Sequence, residues 1–355
     1  MKRIAIIGHF GGDRNDCLDG QTVKTRILYQ ELISNTDWNI QKIDTYYKKK
    51  HPLYLINAIV RAVLFRKDLI VLLSINGMRF LFPLLFFLTK FFRIKVFHDV
   101  IGGNLHLYVN QYPCFKKYLN SFVINWVETE RLRKQLNEVG VDNCAVIPNF
   151  KRLRIVKMEE LESENKQPFK FCTFSRVMKE KGIEAAISCI QDINKERDSV
   201  VCSLDIYGPI ELEYSNHFEQ LMQNTPDYIR YKGTVPFDQS VEVLKNYYAL
   251  LFPTFWIGEG FPGTIIDAFS AGLPVIASDW NSNAEIVDNF RDGIVYPNET
   301  VSSLKDSVLF LINNNEDHIK MRSNCINKAS YYQPELNVQK IINAVEESSK
   351  NGSYH

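Results

Sequence analysis

The stretch Glu259-Gly-Phe-Pro-Gly-Thr-Ile-Ile-Asp-Ala-Phe-Ser-Ala-Gly-Leu-Pro-Val-Ile-Ala-Ser278 decides the fold of this 355-residue chain. Its glycines and proline exclude a regular helix at the start, and Pro262 suits a first helical turn, where its missing N–H is not needed. The pattern predicts a helix over 263–271 that ends at Gly272, followed by a short buried strand over 274–278. The free N–H groups at the start of that helix can hold an anion.

The same stretch places two carboxylates, Glu259 and Asp267, on either side of a glycine-proline-glycine turn. Glu259 is predicted in a loop at a sheet edge, and Asp267 lies roughly one turn into the helix that follows. Both carboxylates can therefore face one cleft. The alternative interpretation is a capped helix after a surface loop, with ordinary acidic residues.

This segment resembles the glutamate–seven–glutamate signature of retaining glycosyltransferases of family 4 (glycosyl transferases group 1). The resemblance covers nearly the whole chain, and its specific motifs lie between residues 174 and 293. It implies an α/β chain of GT-B architecture, with two doubly wound Rossmann-like domains facing across a cleft. Two features depart from the family. Asp267 is one methylene shorter than the usual glutamate, and Asn281 with Ser282 replaces a common glycine pair.

Length and composition agree with two soluble domains, because 355 residues exceed what one core usually fills. We predict an N-terminal acceptor-binding domain (1–150), a C-terminal nucleotide-sugar-binding domain (151–334) and a final helix that crosses back to the first domain (335–355). The seven cysteines are scattered, which indicates buried thiols in a reducing compartment. The first residues are typical of a strand and not of a signal peptide. We therefore predict a cytoplasmic protein.

The charge is unevenly distributed along the chain. Residues 1–150 hold 21 Lys or Arg against 12 Asp or Glu, a net +9, whereas residues 151–355 carry a net −8. Only the first half is then expected to meet an anionic partner. No basic motif with interleaved aromatics favours nucleic acid, so we expect a peripheral contact with the inner face of the cell membrane. The predicted docking region is Lys48–Lys50, Arg66, Lys67 and residues 79–93.

Residues 79–93 contain an unbroken apolar run of about ten residues, shorter than the roughly 20 that a membrane span needs. The pattern predicts a helix packed against the sheet. The alternative is a partly exposed helix face that enters a bilayer surface. Pro83 is tolerated only in the first turn of such a helix.

Two positions in the first domain are candidate site residues. A strand, a glycine-rich loop and a helix from about Gln21 begin a doubly wound domain, and the resemblance implies a glycine close to the donor phosphates. Gly20 is the best match, with Gly11 and Gly12 competing. His98 ends an apolar strand, and the resemblance implies that it faces the transferred sugar. A purely structural role for this histidine is the alternative.

The second domain carries the remaining candidates. Arg176 and Lys181 lie between the end of strand 169–174 and a helix start, where two cations can clamp a pyrophosphate. The family has a phosphate-binding Arg–Lys pair here. The resemblance also implies that Glu259 binds the donor sugar and Asp267 the ribose. The other residues expected to line the donor site are Gly260, Phe261, Gly263 and Thr264.

The predicted function is that of a retaining, hexosyltransferase-type enzyme. It would move a sugar from a UDP- or GDP-sugar to a hydroxyl of a lipid-linked or oligosaccharide acceptor in cell-surface polysaccharide (capsule, exopolysaccharide or lipopolysaccharide) assembly. The predicted catalytic residues are Glu259, His98, Arg176 and Lys181. No aspartate-x-aspartate motif is present, so no metal or cofactor is expected. The alternatives are a catalytically silent GT-B subunit that binds a partner or a membrane, and an epimerase of the same fold.

Overall fold

Two units make up the protein, and the computed structural model describes residues 2–12, 19–49, 51–65, 68–161, 166–297 and 301–350 of them. Unit 1 comprises Met1–Arg152 and Tyr332–His355, and unit 2 comprises Leu153–Tyr331. The chain therefore leaves unit 1, forms unit 2, and returns to unit 1 with its last segment.

Unit 1 alternates strands and helices, as the apolar runs in its sequence predict. Its elements are β1 (Arg3–Gly8), α1 (Gly20–Asn35), β2 (Asn39–Asp44), α2 (Pro52–Phe65), β3 (Asp68–Leu72), α3 (Ile75–Phe92), β4 (Lys95–Asp99), α4 (Leu105–Gln111), α5 (Cys114–Asn120), β5 (Ile124–Val127), α6 (Glu130–Glu138) and β6 (Cys144–Val146). The strands form one parallel sheet in the order β2-β1-β3-β4-β5-β6. The central strands are buried, in agreement with their continuous apolar sequences.

Unit 2 repeats this plan with a second parallel sheet. Its elements are β7 (Phe169–Phe174), α7 (Ile183–Glu196), β8 (Cys202–Tyr207), α8 (Ser215–Gln223), β9 (Ile229–Gly233), α9 (Ser240–Leu244), β10 (Ala249–Phe252), α10 (Gly263–Ser270), β11 (Val275–Ser278), α11 (Asn283–Ile286), β12 (Gly293–Tyr296), α12 (Val301–Asn313) and α13 (Asn315–Ala329). The strand order is β12-β11-β10-β7-β8-β9. The helix and strand predicted over 263–278 are confirmed.

The last helix, α14 (Pro334–Lys350), belongs to unit 1 and packs against α1. Its residues Val338, Ile341 and Val345 are buried in one core cluster with residues of β1 such as Ile4. The Lys2 ammonium also donates to the carbonyl oxygen of Val345 at 2.5 Å. The second face of the first sheet is thus closed by residues from the far end of the chain.

Each sheet contains a switch point, where consecutive connections run to opposite sides. In unit 1 it lies between β1 and β3, and in unit 2 it lies between β7 and β10. Open α/β sheets bind ligands outside the carboxyl ends of the strands at such points. The two loops that follow β7 and β10 are therefore the first places to look for a site in unit 2.

Helix α3 corrects two expectations. It begins at Ile75 and has 18 residues, so Pro83 lies in its interior and not in its first turn. By length and composition alone it could also span a membrane. The expectation that this segment is too short for a span was therefore wrong. Buried helices of soluble proteins meet the same criterion. Here the residues of α3 that pack inward, against the sheet, are Met78, Leu81, Phe82, Leu85 and Leu88.

Candidate functional site

Two predicted site residues meet at the switch point of unit 2. Lys181 follows β7, Glu259 follows β10, and the Lys181 Nζ lies 2.5 Å from Glu259 Oε2. Both side chains are buried. Neither charge is then solvated by bulk water, so each depends on the other for its stabilisation.

Gly182 allows this approach. It adopts a φ of +72°, and a Cβ at this position would lie 2.1 Å from the carbonyl oxygen of Pro253. The loop after β7 can therefore lie directly on the loop after β10. The carbonyl oxygen of Glu180 accepts a hydrogen bond from the Phe255 N–H at 2.8 Å, which ties the two loops together.

Thr254 and Trp256 complete the surroundings of the pair. The Thr254 hydroxyl donates to Glu259 Oε2 at 3.1 Å, and the Lys181 Nζ lies 4.9 Å from the centre of a Trp256 ring. A cation over an aromatic face is stabilised by the negative charge of the ring face. Sequence reasoning missed both residues, although each lies within six positions of Glu259.

The start of α10 lies immediately beyond Glu259. Gly260 and Phe261 are buried, and Pro262 precedes the helix, which begins at Gly263 as predicted. The first N–H groups of a helix have no intrahelical acceptor. The Thr264 hydroxyl oxygen is buried and has no hydrogen-bond partner among the described residues. This helix start therefore presents donors that an anion could use.

Asp267 lies in the same helix and is buried. Its Oδ1 accepts a hydrogen bond from the Ser240 hydroxyl, at the start of α9, at 2.7 Å. The structure thus directs this shorter carboxylate toward α9. Ser240 lies 27 positions away in the sequence, which is why no local pattern predicted it.

Asn281 explains one departure from the family pattern. It has a φ of +49°, a conformation that favours glycine but that asparagine tolerates. Its side-chain amide donates to the carbonyl oxygens of Trp256, Ile257 and Glu259 at 3.4, 3.3 and 3.1 Å. A residue in place of the expected glycine therefore holds the loop that carries Glu259.

Arg176 is placed differently from Lys181. Its side chain is 49% exposed and pairs with Glu211 at 3.5 Å. An exposed ion pair at this distance contributes little to stability. Of the two residues predicted to bind the pyrophosphate, Lys181 therefore forms a buried ion pair with Glu259, whereas Arg176 remains accessible to solvent.

The expectation that His98 faces an open site is not met in this structure. Its ring has no exposed surface, and it packs edge-on against Phe82 with 5.1 Å between ring centres. Its Nδ1 lies 2.9 Å from the Asn125 side-chain oxygen, and its buried Nε2 has no partner among the described residues. Burial lowers the pKa of His98 to about 4, so the ring is neutral at pH 7.

Alternation along β4 sends the next residue, Asp99, to the other face of the sheet. There Lys24 of α1 lies 2.7 Å from Asp99 and 3.0 Å from Glu128, and all three side chains are buried. Burial would lower the pKa of Lys24, but the two carboxylates raise it to about 12. Burial raises the pKa of Asp99 to about 6. Sequence reasoning missed this cluster.

The glycine candidates of unit 1 differ in backbone conformation and surroundings. Gly20 is the first residue of α1, and a Cβ there would meet no atom within 4 Å. Gly11 and Gly12 have φ values of 76° and 61°, and the Gly12 N–H donates to Asp44 at 2.9 Å. The backbone thus requires glycine at the competing position and not at the preferred one.

Other features of the described residues do not extend the Lys181–Glu259 site. A cavity of about 390 Å³, lined by residues such as Phe169, Tyr248 and His318, lies at the amino ends of β7 and β10, opposite the Lys181–Glu259 edge. Over the described ranges, no three His, Cys, Asp or Glu side chains form a group that could hold a metal ion.

Comparisons with known proteins agree with this architecture. The sucrose-phosphate synthase of Thermosynechococcus elongatus has a TM-score of 0.80 at 14% identity, over 99% of this chain and 100% of that one. The Anabaena protein HepE, solved in complex with UDP, has a TM-score of 0.72 at 12% identity, over 98% of this chain and 100% of that one. The fold is therefore GT-B.

The curated sequence relatives match this chain over only part of their own length. The GtfA subunit of a UDP-N-acetylglucosamine–peptide N-acetylglucosaminyltransferase from Streptococcus pneumoniae is 26% identical over 183 residues, which is 49% of this chain and 34% of the relative. The chain spans less than half the length of the curated relatives it matches. Residues 157–330, nearly all of unit 2, match the model of the glycosyl transferases group 1 family. This segment, with Lys181 and Glu259 at its switch point, is a glycosyl transferases group 1 domain in a GT-B fold.

Proposed function

We propose that this protein is a retaining glycosyltransferase, of hexosyltransferase type, that uses a UDP- or GDP-sugar. It transfers the sugar to a hydroxyl of a lipid-linked or oligosaccharide acceptor in cell-surface polysaccharide assembly. The observation that carries the proposal is the buried Lys181–Glu259 pair at the switch point, next to the start of α10. When the bond from the sugar to the diphosphate breaks, negative charge develops on the leaving group and must be stabilised.

The pair solves an electrostatic conflict in this proposal. Glu259 binds hydroxyls of the donor sugar, but a lone carboxylate would repel the adjacent diphosphate. Lys181, at 2.5 Å, neutralises that charge. Glu259 Oε1 has no hydrogen bond within the described part of the chain and is the oxygen assigned to the sugar.

The diphosphate then needs positive partners of its own. The N–H groups at the start of α10 and the unpartnered Thr264 hydroxyl supply hydrogen bonds. Arg176 supplies charge, because its exposed pairing with Glu211 is weak and is readily exchanged for a phosphate. The donor phosphate itself takes the acceptor proton on the face it leaves, so no protein nucleophile is needed.

The ribose is assigned to Asp267. Its Oδ1 already accepts a bond from Ser240, so ribose hydroxyls must share this carboxylate with Ser240. His98 is not part of the proposed chemistry, because its ring is enclosed and neutral.

The nature of the donor and the location of the enzyme rest on indirect support. HepE is solved with UDP, and the GtfA relative is named for a UDP-sugar, which favours a UDP-sugar. A lipid-linked diphosphate acceptor fits the net +9 of residues 1–150. The cysteines of the described ranges are unpaired, and we place the enzyme in the cytoplasm.

The test is a screen of UDP- and GDP-sugars for release of nucleoside diphosphate. We expect slow release from one donor by the wild type and by Glu219→Ala, an exposed control on α8. Glu259→Ala and Lys181→Ala should lose it. An NMR spectrum of the product should show the same anomeric configuration as the donor. Binding of UDP without release from any donor, even with acceptors present, would contradict the proposal and favour a silent subunit.

A further inference from the structure

The outer faces of α2 and α3 are apolar, although a helix that faces water is normally polar on that side. The large apolar side chains exposed on α2 are Leu53, Tyr54, Ile56, Val60, Leu64 and Phe65. On α3, Phe80, Phe87 and Phe91 are 63%, 49% and 70% exposed and recur at helical spacing. Helix α6 of the same unit shows the usual arrangement, with Leu132 and Leu136 buried and Lys134 exposed.

These two helices form one surface. Helix α2 connects β2 to β3 and α3 connects β3 to β4. Their inner residues, such as Ile59 and Leu85, belong to the same core cluster, so both helices cover the same face of the sheet. Their outward side chains therefore lie on the same side of unit 1, and we name these exposed residues together the α2–α3 face.

The chain segment that contains this face is strongly basic. Residues 45–127 hold twelve Lys or Arg, two Asp and no Glu. Both acids are buried in ion pairs, Asp68 with Lys2 at 3.2 Å and Asp99 with Lys24 at 2.7 Å. A segment of more than 80 residues thus exposes cations and apolar groups without an exposed carboxylate among its described residues.

Exposed cations accompany the apolar side chains on these helices and on the neighbouring α5. Arg61 on α2 and Lys90 on α3 are exposed. Helix α5, which packs beside α3, exposes Lys116 and Lys117. Of the basic residues first expected to dock, Lys50, Arg66 and Lys67 lie outside the described residues, and nothing is described of the side chains of Lys48 and Lys49.

We propose that the α2–α3 face docks on the surface of an anionic lipid bilayer. Phe80, Phe87 and Phe91 enter the headgroup–acyl boundary, and the exposed cations contact the lipid phosphates. Helix α3 lies along the membrane and does not cross it, because its inner face packs on a sheet in which β3 and β4 are paired. The inference goes beyond the proposed function, since it requires no turnover.

The charge pattern favours a membrane over a second copy of this chain. A two-fold interface brings the same patch of both subunits together, so cations would face cations across it. An anionic bilayer offers both parts that the face lacks, an apolar layer for the phenylalanines and a layer of negative charge for the cations.

The experiment is flotation of the full chain with vesicles of phosphatidylcholine alone or with 30% phosphatidylglycerol added (a composition on the order of a weakly anionic leaflet). We expect binding to the anionic vesicles that weakens with salt, since screening shortens the range of the attraction. Phe80→Ser with Phe87→Ser should lower the partition coefficient about tenfold or more. Lys90→Gln and Lys116→Gln should each lower it by about fivefold, the equivalent of one cation near a charged surface.

A matched control removes exposed apolar groups elsewhere. Leu212 is 87% and Phe237 48% exposed in unit 2, so Leu212→Ser with Phe237→Ser should bind like the wild type. Sedimentation velocity tests the rival occupant. A dimer that Phe80→Ser with Phe87→Ser dissociates, together with no flotation at any salt, would overturn the proposal. Flotation without donor hydrolysis would support it and reject only the glycosyltransferase function.

Discussion

Each of the two units buries a lysine at the carboxyl edge of its sheet, and the two lysines occupy similar positions in the order of strands along the chain. Lys24 and Lys181 both follow the first strand of their sheet. Each pairs with a carboxylate at or beyond the end of the fourth strand: Asp99 is the last residue of β4 in unit 1, and Glu259 follows β10 in unit 2. The two sheets differ in strand order, yet each brings a lysine and a carboxylate together at its carboxyl edge.

The difference lies in what surrounds each pair. Lys24 stands in a regular helix and faces two carboxylates, so its cluster carries a net negative charge and leaves Asp99 Oδ2 without a partner among the described residues. Lys181 ends a short 3-10 helix and Glu259 lies in a loop, and the two charges balance each other beside a helix start whose Thr264 hydroxyl has no partner among the described residues. The first cluster joins elements of the fold, and the second is suited to receive a ligand.

The largest expected effect is on stability in unit 1. Lys24→Met leaves two buried carboxylates in contact, and we expect a loss of about 3–5 kcal/mol in the free energy of unfolding. Lys181→Met leaves only one buried carboxylate without its cation, so it should lower the free energy of unfolding by less. Urea denaturation measures both. The triple variant Lys24→Met/Asp99→Asn/Glu128→Gln removes the three charges together and should recover most of the lost stability. Equal losses for the two lysine variants would contradict the proposed difference between the two clusters.

The next effect is on activity in unit 2. Lys181→Met should lower kcat/KM about 10²–10³-fold, the range for loss of one preorganised electrostatic group, because the charge of Glu259 would then lie uncompensated beside the donor diphosphate. The reversed pair Lys181→Glu/Glu259→Lys separates the two roles, because it can restore the ion pair without restoring the chemistry. We expect stability near that of the wild type and no recovery of nucleotide release. Recovery of activity would make this pair structural, like the one in unit 1.

Two adjacent residues of β4 should have opposite effects on the pH dependence of stability. Burial raises the pKa of Asp99 from 3.8 to about 6, so the native state binds extra proton and stability falls as pH rises through about 4–6. Burial lowers the pKa of His98 from 6.5 to about 4, so stability rises with pH through about 4–6.5. Each effect is about 3 kcal/mol.

Single variants should reveal the two opposed contributions. His98→Gln removes the contribution that rises with pH, and Asp99→Asn removes the one that falls. Relative to the wild type, unfolding free energies between pH 4 and 7 should therefore change with opposite slopes. Equal slopes for the two variants would mean that burial does not control both groups.

The smallest effect concerns the loop that carries Glu259. Asn281→Ala loses three hydrogen bonds and keeps a side chain at a positive φ, which should cost about 1–2 kcal/mol. Asn281→Gly relieves the backbone and should cost less. The KM for the donor should rise in both variants, and an unchanged KM would show that Asn281 does not position Glu259.

Sequence reasoning predicted what depends on local pattern. The strand over 169–174 and the helix start at Gly263 have the predicted bounds, because apolar runs and glycine or proline signals define them locally. Lys181 and Glu259 were both identified, but their pairing joins positions 78 apart and depends on strand order. His98 was predicted at a strand end, yet only the sheet shows that it points into the core while Asp99 points toward Lys24.

Helix α14 bears on the timing of folding during synthesis. All of unit 2 is made before α14, and α14 supplies Val338, Ile341 and Val345 to the core around β1. Synthesis of unit 2 is therefore complete while the core cluster around β1 still lacks these residues. Unit 2 can then fold first, although unit 1 is translated first, and the early half of the protein must wait for the last helix to be made.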